Sequence, residues 1–503
     1  MARKHPSPRV AIIGGGLASV AACHSLRKAG IDDITVFEAS AGPGGVWWDS
    51  RYPGAAVDTT SAMYSFSFAK YKWKGTHATR AEILEYVEDI IEREDLRRHY
   101  RFKTKVDEVE WDDTANRYRV KLDSGDAGEF DFVISAVGML NVPAIPPTLA
   151  EHEFRGTLVH TARWDPKISL DGCRVGVVGT GSSAIQVFPR VAEVAERAYL
   201  FQRKPGWILP KADRVFDEVE AERASRGTRY YYNRLKAYAS RHRNKGPAAF
   251  RPGTRQNAAA EAQARAHIAR ELSTRPDLME KLTPDYPFGG TRPISAPPDF
   301  YRSFLRENVE LVPEAVERIT ERGVLTAAGR QVDLDVIVLA TGFRAADYLS
   351  TLRVRGAAGA DLHEFWNGVP SAFLGMCVPG FPNFFMMYGP NTNGMGLIFM
   401  LERQAEFIAR MVKASRRRTS TLVEVSQSDF DQYNSQLAAS LEGTVWGGVD
   451  SYFRTADGHV VTQYPWGLPR YWVDTKRYRA SRLLREADPS GTAVSDSLAS
   501  MER

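Results

Sequence analysis

Cysteine is scarce in this sequence. The 503 residues include three cysteines, Cys23, Cys173 and Cys377, which lie far apart and form no C-x-x-C pair. This spacing excludes a dithiol–disulfide centre and a structural zinc site, and it is typical of a protein from a reducing compartment. We therefore predict no metal site.

Long apolar runs are also missing. The basic N-terminal stretch is followed by an apolar run of only four residues, Val10–Ile13, and no window approaches the ~20 apolar residues that a membrane span needs. The net charge is small, because 66 Lys and Arg face 61 Asp and Glu, which gives +5. Such a balance does not indicate nucleic-acid binding. We expect a soluble, cytoplasmic monomer or weak homo-oligomer, without membrane or nucleic-acid partners.

One pattern occurs twice, an apolar strand followed by a glycine-rich turn, a helix and a second strand. Strands that alternate with helices are typical of parallel sheets covered by helices on both faces. The pattern therefore predicts an α/β protein with two doubly wound, Rossmann-like dinucleotide-binding domains. The predicted elements are Val10–Gly14, Leu17–Ala29 and Ile34–Glu38 in the first unit, and Arg174–Gly179, Ser182–Glu196 and Ala198–Arg203 in the second.

The first glycine motif predicts a site for FAD. Gly14 allows the tight turn after the strand, and Gly16 allows the backbone to approach a pyrophosphate at the N-terminus of the next helix. Ser19 occupies the position where a small residue permits close contact between helix and strand. Glu38 ends the second strand, where an acid can accept hydrogen bonds from a ribose diol.

The second glycine motif, Gly179 and Gly181, predicts a site for NADPH. Its second strand ends in Arg203 and Lys204 instead of an acid. A guanidinium can bind a 2′-phosphate through two parallel hydrogen bonds, so we favour NADPH over NADH. Further NADP contacts are predicted on the helix after the motif, at Ser182, Ser183 and Gln186.

The order of these patterns predicts a domain organisation. Residues 1–146 form the N-terminal part of the FAD domain, residues 147–345 the NADPH domain, and residues 346–485 the C-terminal part of the FAD domain. Residues 212–285 are rich in Arg, Ala, Glu and Tyr at helical spacing, which predicts a helical insertion in the NADPH domain. The tail, 486–503, is rich in Ser, Ala and Asp and is predicted to be disordered.

The helical insertion contains one ambiguous stretch. Tyrosines at 230–232 next to the basic cluster 236–245 could indicate a nucleic-acid surface. A solvated helix face with tyrosines in the core gives the same pattern, and we favour it because no known nucleic-acid-binding motif frames the stretch.

Two further motifs carry a resemblance to a known family. With the nucleotide motifs, they are similar to the flavoprotein monooxygenases, and most closely to the type I Baeyer–Villiger monooxygenases. The family pattern F-x-G-x-x-x-H-x-x-x-W-[P/D] is met by Phe154, Gly156, His160, Trp164 and Asp165. A second pattern, G-x-W-x-x-x-x-[F/Y]-P-G-x-x-x-D, is met by Gly45, Trp47, Tyr52, Pro53, Gly54 and Asp58.

The resemblance implies an activity. Such an enzyme uses FAD, NADPH and O2 to insert one oxygen atom next to a ketone carbonyl through a C4a-peroxyflavin anion, and it gives an ester or lactone. Arg292 matches the family's active-site arginine, and Asp58 matches the carboxylate that orients it. A guanidinium suits the role of a positively charged active-site group because it stays charged at any working pH. Alternatives are a sulfide or amine oxygenase of the same class and a catalytically idle, NADPH-responsive flavoprotein.

The resemblance also implies roles for other residues. Gly45, Trp47, Tyr52 and Asp58 are expected near the flavin. His160, with the rest of its motif, is expected to act in the linker between the domains, coupling cofactor binding to domain rotation. The substrate pocket is expected to include Ser295, Asn391 and Trp446, whereas the identity of the ketone does not follow from the sequence.

Overall fold

The computed structural model of the chain describes residues 7–297, 299–394, 396–416 and 421–486. The predicted disordered tail therefore lies, apart from Glu486, outside the described residues. The strands are β1 (Val10–Ile13), β2 (Ile34–Phe37), β3 (Tyr100–Arg101), β4 (Val106–Asp112), β5 (Arg117–Leu122), β6 (Gly125–Phe130), β7 (Phe132–Ser135), β8 (Thr157–His160), β9 (Arg174–Val178), β10 (Arg197–Phe201), β11 (Ile208–Pro210), β12 (Ile294–Ala296), β13 (Val309–Val312), β14 (Val316–Thr320), β15 (Gly323–Thr326), β16 (Gln331–Asp333), β17 (Val336–Leu339), β18 (Arg353–Arg355), β19 (Phe384–Met386), β20 (Thr421–Val423) and β21 (Leu484–Glu486).

The α-helices lie between these strands and in a long excursion between β11 and β12. They are α1 (Leu17–Lys28), α2 (Val46–Asp49), α3 (Arg80–Arg93), α4 (Pro147–Ala150), α5 (Ser182–Val194), α6 (Glu218–Ser225), α7 (Gly227–Lys245), α8 (Arg255–Glu271), α9 (Pro276–Leu282), α10 (Asp299–Ser303), α11 (Leu362–Trp366), α12 (Leu397–Ser415), α13 (Gln427–Leu441) and α14 (Leu468–Arg477).

Two five-stranded parallel sheets organise the chain. The first has the order β19-β7-β1-β2-β3, and the second has the order β13-β10-β9-β17-β8. Strands β1 and β17 are buried along their whole length, as expected for strands covered on both faces. The predicted α/β class with two parallel sheets is confirmed.

The sheets are assembled from distant parts of the chain. Strand β19 joins the first sheet after the whole second sheet has formed along the sequence, so two stretches of chain must cross between the sheets. These stretches, residues 141–147 and 341–344, lie side by side: Ala144 N donates to Gly342 O at 2.9 Å, and Arg344 N donates to Val142 O at 3.0 Å. We call this pair of segments the crossing. The domain boundaries themselves stay a prediction.

The stretch predicted as a helical insertion contains helices α6 to α9. The interpretation of its tyrosines was partly wrong. Tyr230 is 3% exposed, but Tyr231 and Tyr232 are 48% and 56% exposed. A helix turns by about 100° per residue, so three consecutive side chains cannot all face one core.

Candidate active site

The first glycine motif forms a backbone cradle at the end of β1. Gly14 has φ of +104°, and a Cβ there would lie 2.7 Å from the carbonyl oxygen of Ala136 on the neighbouring chain segment. Gly16 precedes α1 and faces Gly45, where a Cβ would lie 3.1 Å from the Gly16 Cα. Two backbones thus meet with no side chain between them at a helix N-terminus. This geometry fits the diphosphate of a dinucleotide.

The predicted ribose acid is fixed by the same cradle. Glu38 is 7% exposed; its Oε2 accepts a hydrogen bond from Gly15 N at 2.5 Å and its Oε1 one from Ser40 N at 2.6 Å. Ser19 is completely buried, and its Oγ donates to Gly16 O at 2.7 Å. The serine is therefore accommodated in the helix–strand contact as expected. A ribose contact of Glu38 stays a prediction.

The second glycine motif forms a similar backbone cradle at the end of β9. Gly179 has φ of +117°, and a Cβ there would lie 2.6 Å from the carbonyl oxygen of Ala340. Gly181 has open space at its Cβ position and precedes α5, whose first residues are the half-buried Ser182 and Ser183. In both sheets the first glycine of the motif thus packs against an Ala-x-Gly segment that follows the adjacent strand. The geometry again fits a diphosphate.

The predicted phosphate-binding cations lie at the edge of this second cradle. Arg203 and Lys204 follow β10 and are both exposed. The Arg203 side chain is 71% exposed, and its Nη2 lies 3.4 Å from an oxygen of Asp450. Thr180, inside the motif, donates from its Oγ1 to Lys204 O at 2.8 Å, which ties the cation segment to the glycine turn.

Tyr52 and Gln186 join the two parts of the molecule. The Tyr52 hydroxyl donates to Gln186 Oε1 at 2.8 Å, and Gln186 Nε2 donates to Ala56 O at 2.8 Å. Gly54 lets the segment approach α5, because a Cβ there would lie 2.5 Å from the Gln186 carbonyl oxygen. The sequence assigned Tyr52 to the flavin and Gln186 to NADP, and both cofactor contacts stay predictions.

Arg292 and Asp58 form an ion pair in the structure. Arg292 Nη2 donates to Asp58 Oδ2 at 2.7 Å and to Oδ1 at 3.0 Å. The Asp58 side chain is 16% exposed, and the Arg292 side chain is 38% exposed. The charge of Asp58, together with the Tyr452 hydroxyl, raises the pKa of Arg292 well above its usual value. The site therefore contains a permanently charged guanidinium oriented by a carboxylate.

Two aromatic side chains, Tyr64 and Tyr452, interact with the charges of this pair. Trp47 Nε1 donates to the Tyr64 hydroxyl at 2.9 Å, and the two rings meet edge to face, with centroids 5.7 Å apart. Burial raises the pKa of Tyr64, and the charges of Asp58 and Arg292 act on it in opposite directions. Trp47 thus contacts a tyrosine on which the charges of the ion pair act. The sequence reasoning missed Tyr64 and Tyr452, because neither belongs to a motif.

The third motif is built into the second sheet. Gly156 directly precedes β8, and a Cβ there would collide with the Phe154 ring and the Asp335 carbonyl. Trp164 is buried in the core that includes α5, whereas Asp165 is exposed and accepts a hydrogen bond from Lys167 N at 3.0 Å. These contacts fix the path of the chain around β8.

His160 lies at the end of β8 next to the crossing. It is 6% exposed, its Nδ1 accepts a hydrogen bond from Ala162 N at 3.0 Å, and its ring packs edge-on against Phe343 at 6.2 Å. Burial, with the nearby Arg163 charge, lowers its pKa to about 4. The neighbouring Arg163 donates from Nη2 to Asn141 O at 3.1 Å. The imidazole is therefore neutral at pH 7, and its predicted linker role is not tested by these contacts.

The predicted pocket residues have different surroundings. Asn391 is 5% exposed, and its Nδ2 donates to the carbonyl oxygens of Val460 and Gln463 at 3.0 and 3.1 Å. Trp446 is buried against Phe250, with ring centroids 5.0 Å apart. Tyr452 packs against the same apolar cluster as Trp446 and hydrogen-bonds to Arg292. Trp446 is therefore connected to the ion pair through Tyr452.

Ser295 lies on β12, three residues after Arg292, and pairs with Leu209 of β11.

Within the described part of the chain, no group of three or more His, Cys, Asp or Glu side chains is arranged to hold a metal ion. The same residues contain no helix that is long and apolar enough to cross a membrane.

Comparisons with known proteins agree with this geometry. A family described as flavin-binding monooxygenase-like matches residues 7–221. The chain is 33% identical to an FAD-binding monooxygenase of Aspergillus niger, over 93% of this chain and 80% of that protein. It is also 33% identical to a Baeyer–Villiger monooxygenase of Pseudomonas aeruginosa, over 94% of this chain and 90% of that protein. The solved structure of an oxidised steroid monooxygenase bound to NADP superposes with a TM-score of 0.83 at 29% identity, covering 94% of this chain and 97% of that one.

Proposed function

Because the chain belongs to the Baeyer–Villiger family of flavin-binding monooxygenases, we propose that it inserts one oxygen atom of O2 next to the carbonyl of a ketone. The product is an ester, or a lactone when the ketone is cyclic. The chain is an NADP-dependent flavin monooxygenase with FAD and NADPH as cofactors. The Arg292–Asp58 pair is the observation that carries the choice of reaction.

The two glycine cradles hold the cofactors in this proposal. Gly14, Gly16 and Glu38 bind FAD, and Gly179 and Gly181 bind the NADP diphosphate. The helix N-termini after both motifs favour negative charge, which suits the diphosphates. When bound, NADPH supplies the electrons that reduce FAD, and reduced FAD activates O2. Arg203 and Lys204 recognise the 2′-phosphate, as a planar guanidinium and an ammonium can.

Arg292 supplies a fixed positive charge where the reacting oxygen is anionic. A nucleophilic attack on a ketone carbonyl requires negative charge on that oxygen, and a nearby guanidinium stabilises this charge before and during the attack. Asp58 orients the guanidinium through both carboxylate oxygens. The half-buried position of Arg292 reduces screening by water, so its charge acts more strongly than it would on an open surface.

Product analysis with isotopically labelled dioxygen tests the proposal. Purified protein, FAD, NADPH and a panel of cyclic, aryl and polycyclic ketones are compared with thioethers of matched shape. We expect an ester or lactone that carries one labelled oxygen next to the carbonyl. Sulfoxides without any ester would favour a sulfide oxygenase. Absence of O2-dependent NADPH consumption would favour the idle flavoprotein and would reject the proposal.

The cytoplasmic location, the monomeric or weakly associated state and the domain boundaries stay predictions. Native mass spectrometry of the FAD-loaded protein measures the oligomeric state directly.

A further inference from the structure

An ion pair joins the edge of the second glycine cradle to a distant part of the chain. Arg203 Nη2 lies 3.4 Å from Asp450 Oδ2, and the two residues are separated by 247 positions in the sequence. Both side chains are exposed. Within the described residues, neither side chain forms an ion pair with any other group. The two charges therefore act mainly on each other.

The backbone that carries Arg203 is held on both sides. Gln202, the preceding residue, is 3% exposed, and its Nε2 donates to Lys281 O at 2.7 Å. On the other side, Thr180 Oγ1 of the glycine motif donates to Lys204 O at 2.8 Å. The guanidinium of Arg203 therefore extends from a fixed point at the edge of the cradle.

The segment 445–453, which carries Asp450, is anchored by buried neighbours. Val449 packs on the backbone of Gly290, where a Cβ would lie 2.5 Å from Val449 Cγ2. The backbone next to Asp450 is thus fixed although its carboxylate is exposed to solvent. The fold therefore determines that this carboxylate and the Arg203 guanidinium meet. The buried residues of the segment are Val445, Trp446, Val449 and Phe453.

This ion pair places a carboxylate at the cation that the proposed function assigns to the 2′-phosphate. A guanidinium binds a carboxylate and a phosphate through the same N–H donors, so the two anions compete for them. A phosphate close to the Asp450 carboxylate is also repelled by its negative charge. The carboxylate therefore lowers the affinity of Arg203 for a phosphate.

We propose that Asp450 is a specificity-determining residue of the NADP site. Its carboxylate competes with the 2′-phosphate for Arg203 and thereby limits the preference for NADPH over NADH. The inference rests on the proposed function, in which Arg203 recognises this phosphate. NADH lacks the 2′-phosphate, so the competition leaves its binding unaffected.

The test measures nucleotide binding directly, without turnover. Isothermal titration calorimetry of the FAD-loaded protein gives the Kd for NADP⁺ and for NAD⁺. The wild type is compared with Asp450→Asn, Arg203→Gln and the double variant. Asp457→Asn is the matched control, because it removes an exposed carboxylate that forms no ion pair within the described part of the chain. Melting temperatures are measured in parallel.

We expect Asp450→Asn to lower the Kd for NADP⁺ about 3-fold, the size typical of one exposed charge pair, and to leave the Kd for NAD⁺ unchanged. In the Arg203→Gln background the same substitution should have little effect, because the guanidinium for which the anions compete is gone. The gain should also disappear in 1 M salt, where the Debye length falls to about 3 Å. Asp457→Asn should leave both constants at their wild-type values.

Three results would overturn the inference. Unchanged or weaker NADP⁺ binding in Asp450→Asn would show that the carboxylate does not oppose the phosphate. An equal gain for NAD⁺ would show that the phosphate is not involved, and a full gain in the Arg203→Gln background would show that the competition is not for Arg203.

Failure of the proposed function gives different results. Equal affinity of the wild type for NADP⁺ and NAD⁺ would reject phosphate recognition by Arg203, and the role of Asp450 would be rejected with it. Absence of ester from the wild-type protein would reject the proposed reaction, whereas the binding constants would still test Asp450.

Discussion

Arg292 Nη2 contacts both carboxylate oxygens of Asp58 across 234 positions of the chain. Asp58 follows α2, which belongs to the segment facing the first glycine cradle, and Arg292 lies two residues before β12 at the end of the helical excursion. The two charges therefore meet only when distant segments pack together. This dependence makes the pair sensitive to the relative position of the two parallel sheets.

Replacing Arg292 by alanine should separate NADPH oxidation from oxygen insertion. Without the guanidinium, the anionic oxygen loses its fixed counter-charge, and we expect ester formation to fall at least ~100-fold. NADPH oxidation should continue slowly and yield hydrogen peroxide. The measurement is a parallel assay of NADPH, hydrogen peroxide and ester. A normal ester yield from Arg292→Ala would defeat the assignment, and Arg306→Ala, which removes an exposed arginine later in the chain, serves as the control.

Replacing Arg203 by glutamine should change the choice of nicotinamide cofactor. The exposed guanidinium is predicted to bind the 2′-phosphate, so its loss should raise the KM for NADPH about 10-fold. The KM for NADH, which lacks this phosphate, should change little. Arg197→Gln, at the start of the strand that precedes Arg203, is the matched control. Equal changes for both cofactors would show that Arg203 does not recognise the phosphate.

Protonation of His160 should destabilise the folded protein in acid. Its pKa is about 4 in the folded state, against 6.5 ordinarily, so the unfolded chain binds the proton first as the pH falls. The free energy of unfolding should therefore decrease between pH 6.5 and pH 4, by ~3 kcal/mol in total. Protonation of Nδ1 would also remove the acceptor for Ala162 N.

Urea titrations at several pH values measure the effect. His160→Gln cannot bind this proton, so the difference in unfolding free energy between wild type and variant should shrink as the pH falls. A constant difference across this range would contradict the prediction.

Breaking the buried ion pair of Arg234 on α7 and Glu402 on α12, which lie 3.5 Å apart, should cost stability. Arg234→Met leaves the Glu402 carboxylate buried without its counter-charge, and we expect a loss of ~3–5 kcal/mol. The double variant with Glu402→Leu should recover much of that loss. Chemical denaturation measures both, with Leu235→Ala on the exposed side of α7 as control. If the double variant is no more stable than the single one, the interaction with Glu402 is not the cause.

Local patterns predicted the elements of the cradles well. The helix after Gly16 begins at the predicted residue and ends one residue earlier than expected, and the helix after Gly181 begins at Ser182 as predicted and ends at Val194. Such elements are encoded by a periodic apolar face and by glycines at strand ends, which are signals within a few residues. The pairing of Arg292 with Asp58 could be anticipated only because both residues belong to motifs of one family.

Long-range contacts were not predictable in the same way. Nothing local distinguishes Tyr230 from Tyr231, and its burial is decided by carbonyl groups about 160 positions away in the sequence. The side chain of Asn391, whose place in a pocket stays a prediction, donates to two carbonyl groups near residue 460. In each case the deciding partner is set by tertiary packing.

The crossing has a mechanical consequence. Its two segments are joined by backbone hydrogen bonds and by Thr341 Oγ1, which donates to Ala144 O at 2.6 Å. If one sheet rotated relative to the other, the two segments of the crossing would therefore twist together about one axis. They would not bend independently of each other. Cross-linking the segments would stiffen that axis without touching any cofactor-binding residue.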